Sequence, residues 1–240
     1  MKGVGRAVLV CLIALAGTWS CREPGDVDPG SAAAARPVET TPSAVDPRSE
    51  APRPDGAAPL VVFLGDSLTA GLGLAEDRAF PALVARQLGD EMPVRVVNAG
   101  VSGDTTSGGL RRLDWLLRQD PDLLVVELGA NDALRGQSVE GIEKNLRAIV
   151  GRAREAGVPV LLVGLRIPPS YGAEYAESFR AIYPAIARDL DVPLVPFLLE
   201  GVAGHPDLNQ PDGIHPTAEG HQVVAETVGP WVLRALGERP

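Results

Sequence analysis

Five short, mostly apolar runs recur along this chain: Leu60–Leu64, Val94–Asn98, Leu123–Leu128, Val160–Gly164 and Leu194–Phe197. Their length and β-branched content read as strands. Between them lie segments with apolar residues at helical spacing: Phe80–Leu88, Gly109–Arg118, Val139–Ala156 and Glu174–Leu190, with a last one near Ala218–Leu236. Asp120-Pro121 and Gly157-Val158-Pro159 mark places where helices should stop. Strands that are apolar nearly throughout must be covered on both faces. The alternation therefore predicts an α/β three-layer sandwich around a five-stranded parallel sheet, formed by residues 59–240.

An open sheet of this kind binds ligands outside the carboxyl ends of its strands. Three consecutive strand ends carry glycine beside short polar side chains. The first is Gly65-Asp66-Ser67-Leu68, the second Asn98-Ala99-Gly100-Val101-Ser102-Gly103-Asp104-Thr105, and the third Gly129-Ala130-Asn131-Asp132. If Ser67 is a nucleophile, it needs a base, an orienter for that base, and donors for a developing oxyanion. Asp212-Gly213-Ile214-His215-Pro216, ahead of the last helix, can supply the first two. Asp and His three residues apart in one loop can set a carboxylate against Nδ1 and leave Nε2 facing Ser67. Each piece alone also has a structural explanation: a cap at Ser67, a turn at Asp212-Gly213, side-chain to backbone bonding at Asn131.

Taken together, these residues resemble the SGNH, or GDSL, hydrolases, whose marker residues fall on Ser67, Gly103, Asn131 and His215, with Asp212 completing a triad. Gly65–Gly71, Asn98–Thr105, Gly129–Gly136, Ala181–Pro184 and Asp212–Pro216 are most similar to the bacterial thioesterase I/lysophospholipase and arylesterase branch. The resemblance implies a flavodoxin-like fold and a serine esterase acting on aryl esters, acyl thioesters or lysophospholipids through an acyl-enzyme. It also implies an oxyanion hole built from the Ser67 and Gly103 backbone N–H groups and the Asn131 side chain. Asp66, Asn98 and Asp104 are expected to support the site. His205 and His221 are expected to stand outside it. A carbohydrate O-acetyl esterase is the alternative enzyme reading, because fold and triad serve that chemistry too. A non-catalytic lipid- or glycan-binding module should lack a reacting group, and all five are present here.

Other sites are argued against by what is missing. Thr69 stands where the second glycine of Gly-x-Ser-x-Gly would be, and acid and base share one loop, unlike an α/β-hydrolase. Gly71-Leu72-Gly73 is not followed by a dinucleotide or P-loop pattern. With three histidines and no cysteine beyond Cys21, neither a metal nor another cofactor is expected. Residues 59–240 hold 16 basic and 24 acidic side chains, a balance that argues against nucleic acid as a partner. The expected partner is a small acyl ester or thioester. Ile167–Tyr171 and Phe197–Leu199 could equally line an acyl groove or serve as turn and core.

The N-terminal region has a different character. Lys2 and Arg6 precede an apolar stretch, Ala7 to Gly17, which has signal-peptide length and is too short to span a bilayer. Residues 1–21 are therefore expected to direct export. Cys21, after Ser20, resembles a bacterial lipoprotein cysteine and would tether the protein to a membrane; simple cleavage to a periplasmic or secreted protein is the alternative. Residues 22–58, rich in Pro, Ala, Asp and Glu, bury too little apolar surface to offset ordering entropy and read as a disordered linker.

Overall fold

The computed structural model describes residues 56–89 and 91–237. The expected export signal over residues 1–21, with Cys21, and nearly all of the expected linker lie outside them.

Five strands form one parallel sheet: β1 (Leu60–Gly65), β2 (Arg95–Gly100), β3 (Leu123–Glu127), β4 (Val160–Val163) and β5 (Leu194–Val195). Their order is β2-β1-β3-β4-β5, the flavodoxin-like arrangement. Every residue of β1, β3 and β4 is buried, whereas β2, at the edge, is half-buried and starts with an exposed Arg95. A charged side chain on an edge strand discourages pairing with a second sheet. At the other edge β5 is shorter than the expected Leu194–Phe197. Pro196 has no N–H to continue the ladder.

Helices cover both faces. On one, α2 (Phe80–Leu88) packs against α7 (Ala218–Gly237). On the other, α3 (Thr106–Leu117), α5 (Val139–Glu155) and α6 (Ala173–Asp189) lie side by side. Helix α5 illustrates the local cause. Ser138 accepts the Gly141 N–H at its start, and Ile142, Leu146, Ile149, Val150 and Ala153 make one buried stripe. Full burial of each large aliphatic side chain contributes roughly 1.5–3 kcal/mol.

Helix α3 begins at Thr106, three residues earlier than Gly109. Thr105 caps it by accepting the Gly108 N–H at 3.2 Å. Gly108 and Gly109 leave room there for neighbouring side chains. A Cβ on Gly108 would run into the Asp104 carboxylate, and one on Gly109 into Leu128. Two further helices, α1 (Ser67–Ala70) and α4 (Ala130–Leu134), are too short to show a sequence period. Both start at strand ends, and both carry residues of the site.

The chain leaves β1 toward β2 on one side, whereas β3 lies on its other side. This reversal opens a crevice at the carboxyl ends of β1 and β3. Ser67 follows β1 and Asn131 follows β3, so the fold delivers both to that crevice.

Candidate active site

Ser67 is the first residue of α1, and Asp66 is its N-cap, accepting the Leu68 N–H at 3.0 Å. A bend at Asp66, directly after a fully buried strand, leads into Ser67, which is itself buried. His215 reaches it from the loop before α7, with Nε2 2.9 Å from Ser67 Oγ. On the other side of the ring, His215 Nδ1 lies 2.7 Å from Asp212 Oδ2. Asp212 is itself fixed, because its Oδ1 accepts the backbone N–H groups of Ile214 and His215, each at 3.0 Å. Those two bonds, then the imidazole, hold the Asp212 carboxyl down at about 2. Geometrically this is a hydroxyl, a base and an oriented carboxylate in line.

Gln210 secures the histidine loop. Its backbone N–H donates to the His215 carbonyl at 2.7 Å. Its side-chain amide bridges the carbonyls of Leu72, just beyond α1, and Pro216, at 2.7 and 3.0 Å. The loops carrying base and hydroxyl are thus tied directly to each other.

Gly103 and Asn131, the other expected oxyanion donors, line the same cleft as Ser67. Asn131, in α4, donates one amide N–H to Asp66 Oδ2 at 2.9 Å, which leaves its second N–H for another acceptor. Gly103 sits in the turn after β2 with φ +77°, a conformation natural to glycine. Arg135 donates to its carbonyl at 2.9 Å, fixing the orientation of that turn.

The supporting residues hold this edge from below. Asn98 donates to the Thr69 carbonyl at 2.9 Å and accepts the Gly100 N–H at 3.0 Å, joining β2 to α1. Asp104 pairs with Arg112 Nε at 2.9 Å, and Arg112 also donates to the Gly65 carbonyl at 3.0 Å. Asp66 is buried, and that burial raises its carboxyl toward about 6 despite the bonds from Leu68 and Asn131.

Sequence reasoning passed over several of these supports. Glu127, the last residue of β3, is fully buried and accepts the Thr69 hydroxyl at 2.7 Å and the Asp66 N–H at 3.3 Å. Burial, and next the charge of Asp66, push the Glu127 carboxyl well above the usual range. An acidic residue closing an otherwise apolar strand was the available signal. Asp132 accepts the Thr106 N–H and hydroxyl at 2.8 and 2.7 Å, docking α4 onto the start of α3. No sequence period links Asp132 to Thr106, and none announces Arg112, Arg135 or Gln210.

The remaining histidines stand apart from Ser67. His205 is exposed ahead of a 3-10 turn, Pro206–Leu208. His221 is buried in α7, where its Nδ1 accepts the Phe80 N–H at 3.1 Å. Burial lowers its ring to about 4, with a smaller contribution from His215. Among the described residues, no cluster of three or more His, Cys, Asp or Glu side chains is arranged to hold a metal ion.

A cleft of about 700 Å³ opens beside Ser67 and His215. Leu68, Leu134, Ile167, Pro168, Phe197 and Leu199 provide most of its apolar wall. The two segments with alternative readings divide accordingly. Ile167, Pro168, Phe197 and Leu199 face the cleft, Leu198 is core, and Pro169–Tyr171 forms a 3-10 turn at the surface.

Comparison with known proteins agrees with this architecture. The GDSL-like Lipase/Acylhydrolase family matches residues 63–223. The chain is 44% identical to Esterase TesA of Pseudomonas aeruginosa over 182 residues, covering 75% of this chain and 90% of that protein. It is 41% identical to Thioesterase 1/protease 1/lysophospholipase L1 of Escherichia coli K12 over 181 residues, 75% of this chain and 84% of that protein. A crystal structure of TesA superimposes with a TM-score of 0.71 at 42% identity, covering 73% of this chain and 99% of the other. The strand order, the site at the β1–β3 crevice and this extent of similarity lead to one conclusion: the chain belongs to the GDSL-like lipase/acylhydrolase family.

Proposed function

We propose that this protein is a serine hydrolase of carboxylic esters and thioesters, working through an acyl-enzyme on Ser67. The observation that carries the reading is the continuous line from Ser67 Oγ to His215 Nε2 at 2.9 Å and from Nδ1 to Asp212 at 2.7 Å. Ser67 Oγ attacks the carbonyl carbon while His215 takes its proton. Asp212 keeps the proton of neutral His215 on Nδ1 and stabilises the imidazolium that forms. The oxyanion is received by the Ser67 and Gly103 backbone N–H groups and by the second N–H of Asn131. His215 returns the proton to the departing alcohol or thiol. Water, deprotonated by the same imidazole, then releases the acid and restores Ser67.

The mostly apolar cleft supports acyl chains of several carbons over the short acetyl group of an O-acetylated sugar. Its names in relatives, esterase and thioesterase/lysophospholipase, support the same reading. Turnover of p-nitrophenyl esters of graded chain length tests it, together with labelling by a fluorophosphonate. Activity and labelling should both disappear in a folded Ser67→Ala variant, and retention of either overturns the assignment. Preference for acetylated sugars over all longer acyl donors would favour the O-acetyl esterase.

The residue pattern at the N-terminus supports export of this enzyme, with Cys21 as a lipid attachment point. Incorporation of radiolabelled palmitate, lost in Cys21→Ala, is the expected result for a tethered form. Release of unlabelled protein into the periplasm would instead indicate simple cleavage.

A further inference from the structure

Arg166 is out of character with its surroundings. It lies on the loop after β4 and is the only lysine or arginine among the residues lining the cleft. Its guanidinium sits over the Phe197 ring, 4.3 Å from the centroid. Among the described residues, no carboxylate pairs with it and no acceptor takes its N–H groups. Arg112, Arg147 and Arg180 are engaged by carboxylates, whereas Arg234 sits over the Trp231 ring much as Arg166 sits over Phe197; what sets Arg166 apart is its place in the cleft wall.

An arginine held over an aromatic ring uses the face of its guanidinium for that contact, and the N–H edge stays available. The edge is a planar fork that matches two oxygens of a phosphate. Holding the side chain in advance also lowers the entropy lost when an anion binds. The location matters as much as the geometry. Arg166 is exposed to solvent where it lines the cleft, so its charge is within reach of a substrate that brings an anion, whereas an acyl chain gains nothing from it. The domain as a whole, with 16 basic against 24 acidic side chains over residues 59–240, repels such a substrate. A fixed local cation offsets that repulsion where the substrate docks.

We propose that Arg166, seated on Phe197, forms an anion subsite of the cleft that selects acyl esters and thioesters whose leaving group carries a phosphate. This rests on the hydrolase reading above. The phosphate makes and breaks no bonds. Its role is to dock the leaving group while the carbonyl meets Ser67, and it departs with the alcohol or thiol that takes the proton from His215. Arg166 is on this account a specificity-determining residue that leaves the chemical step to others.

A matched substrate pair tests it: 1-lauroylglycerol-3-phosphate against 1-lauroylglycerol, identical in acyl chain and ester, both kept below their aggregation concentrations. The readout is the ratio of their kcat/KM values, which cancels any general loss of activity. The full-length wild-type protein should favour the phosphate ester, and 0.5 M NaCl should shrink that preference. Arg166→Gln should lower the ratio about 10- to 100-fold, mainly through KM of the phosphate ester, as expected for loss of hydrogen bonds to a charged group. Arg166→Lys should recover only part of it, because a point charge replaces a fork. A ratio near one in the wild type, or a ratio that Arg166→Gln leaves unchanged, overturns the proposal even if p-nitrophenyl esters are hydrolysed well. Failure to hydrolyse any ester would instead overturn the hydrolase reading itself.

Discussion

Asn131 donates its side-chain amide to Asp66 across 2.9 Å, and Asp66 is the residue immediately before Ser67. The turn that carries the hydroxyl therefore also aims the amide expected to receive the oxyanion. In Asp66→Asn, one oxygen still takes the Leu68 N–H, and the new amide group confronts the Asn131 amide, donor against donor. The kcat should fall about 10- to 100-fold, somewhat less than outright loss of an oxyanion donor, with KM changing little. Burial raises wild-type Asp66 to about 6, so the wild type protonates this acceptor as pH drops through that value. The ratio of wild-type to variant kcat should accordingly shrink between pH 8 and pH 5. Steady-state kinetics on a soluble aryl ester checks both.

Asp212→Asn should be far more damaging to rate than to stability. The two backbone N–H groups on Oδ1 pin whichever end of the side chain can accept, so the Asn carbonyl must occupy that place. Its NH₂ group then faces His215 Nδ1 and forces the ring proton onto Nε2, the tautomer that cannot accept from Ser67. A loss of about 10⁴-fold in kcat is expected, as for a triad held in the wrong tautomer. Single-turnover kinetics and a thermal melt, run side by side, give the comparison.

The buried carboxyl of Glu127 makes stability pH-dependent. Its folded-state value is raised above the ordinary 4.5, so the native state holds a proton the unfolded chain has already released. The stability this contributes is complete below 4.5 and is lost as pH rises through the raised value. While the difference is one proton, the slope is about 1.4 kcal/mol per pH unit. Glu127→Gln keeps an acceptor for Thr69 and abolishes the titration. Urea midpoints measured from pH 4.5 to 8 should fall less steeply in this variant than in the wild type.

His221 acts in the opposite direction. Its folded value of about 4, against 6.5, means the unfolded chain binds the extra proton between those limits. Its contribution is present above pH 6.5 and disappears as pH falls through about 4. His221→Phe fits the stacked position beside Phe80 but leaves the Phe80 N–H without its acceptor. It should cost about 1–3 kcal/mol at pH 7.5 and flatten the acid limb of the stability curve. Denaturant melts of both proteins at pH 7.5 and 5 provide the test.

The sheet, its five strands and the helices with a full apolar stripe are legible in the sequence because burial on both faces leaves an unmistakable pattern. Ser67 is legible as a hydroxyl where a strand stops and Asp212 and His215 as an acid and a base sharing one loop, whereas the expected roles of Gly103 and Asn131 come from the family resemblance. What stays hidden is the network beneath. Glu127 reaches Thr69 and Asp66 across the sheet, and Arg112 closes a carbonyl of a strand 47 residues away. Such contacts depend on which strands become neighbours, and a single chain does not spell that out. The start of α3 at Thr106 rather than Gly109 is hidden for a related reason: Gly108 and Gly109 lie close against Asp104 and Leu128, contacts that helix propensity does not announce.

Ser67 and His215 meet across 148 residues of chain, and the bond between them comes from the loop that leads into the last helix. The sheet is complete with β5, and the base follows β5 in the chain. Reactivity toward acyl compounds therefore needs the loop before α7 held in place by the packing of α7 against α2. Hydrolytic competence thus depends on the packing of α7 against α2, and its return during refolding reports that this layer is in place.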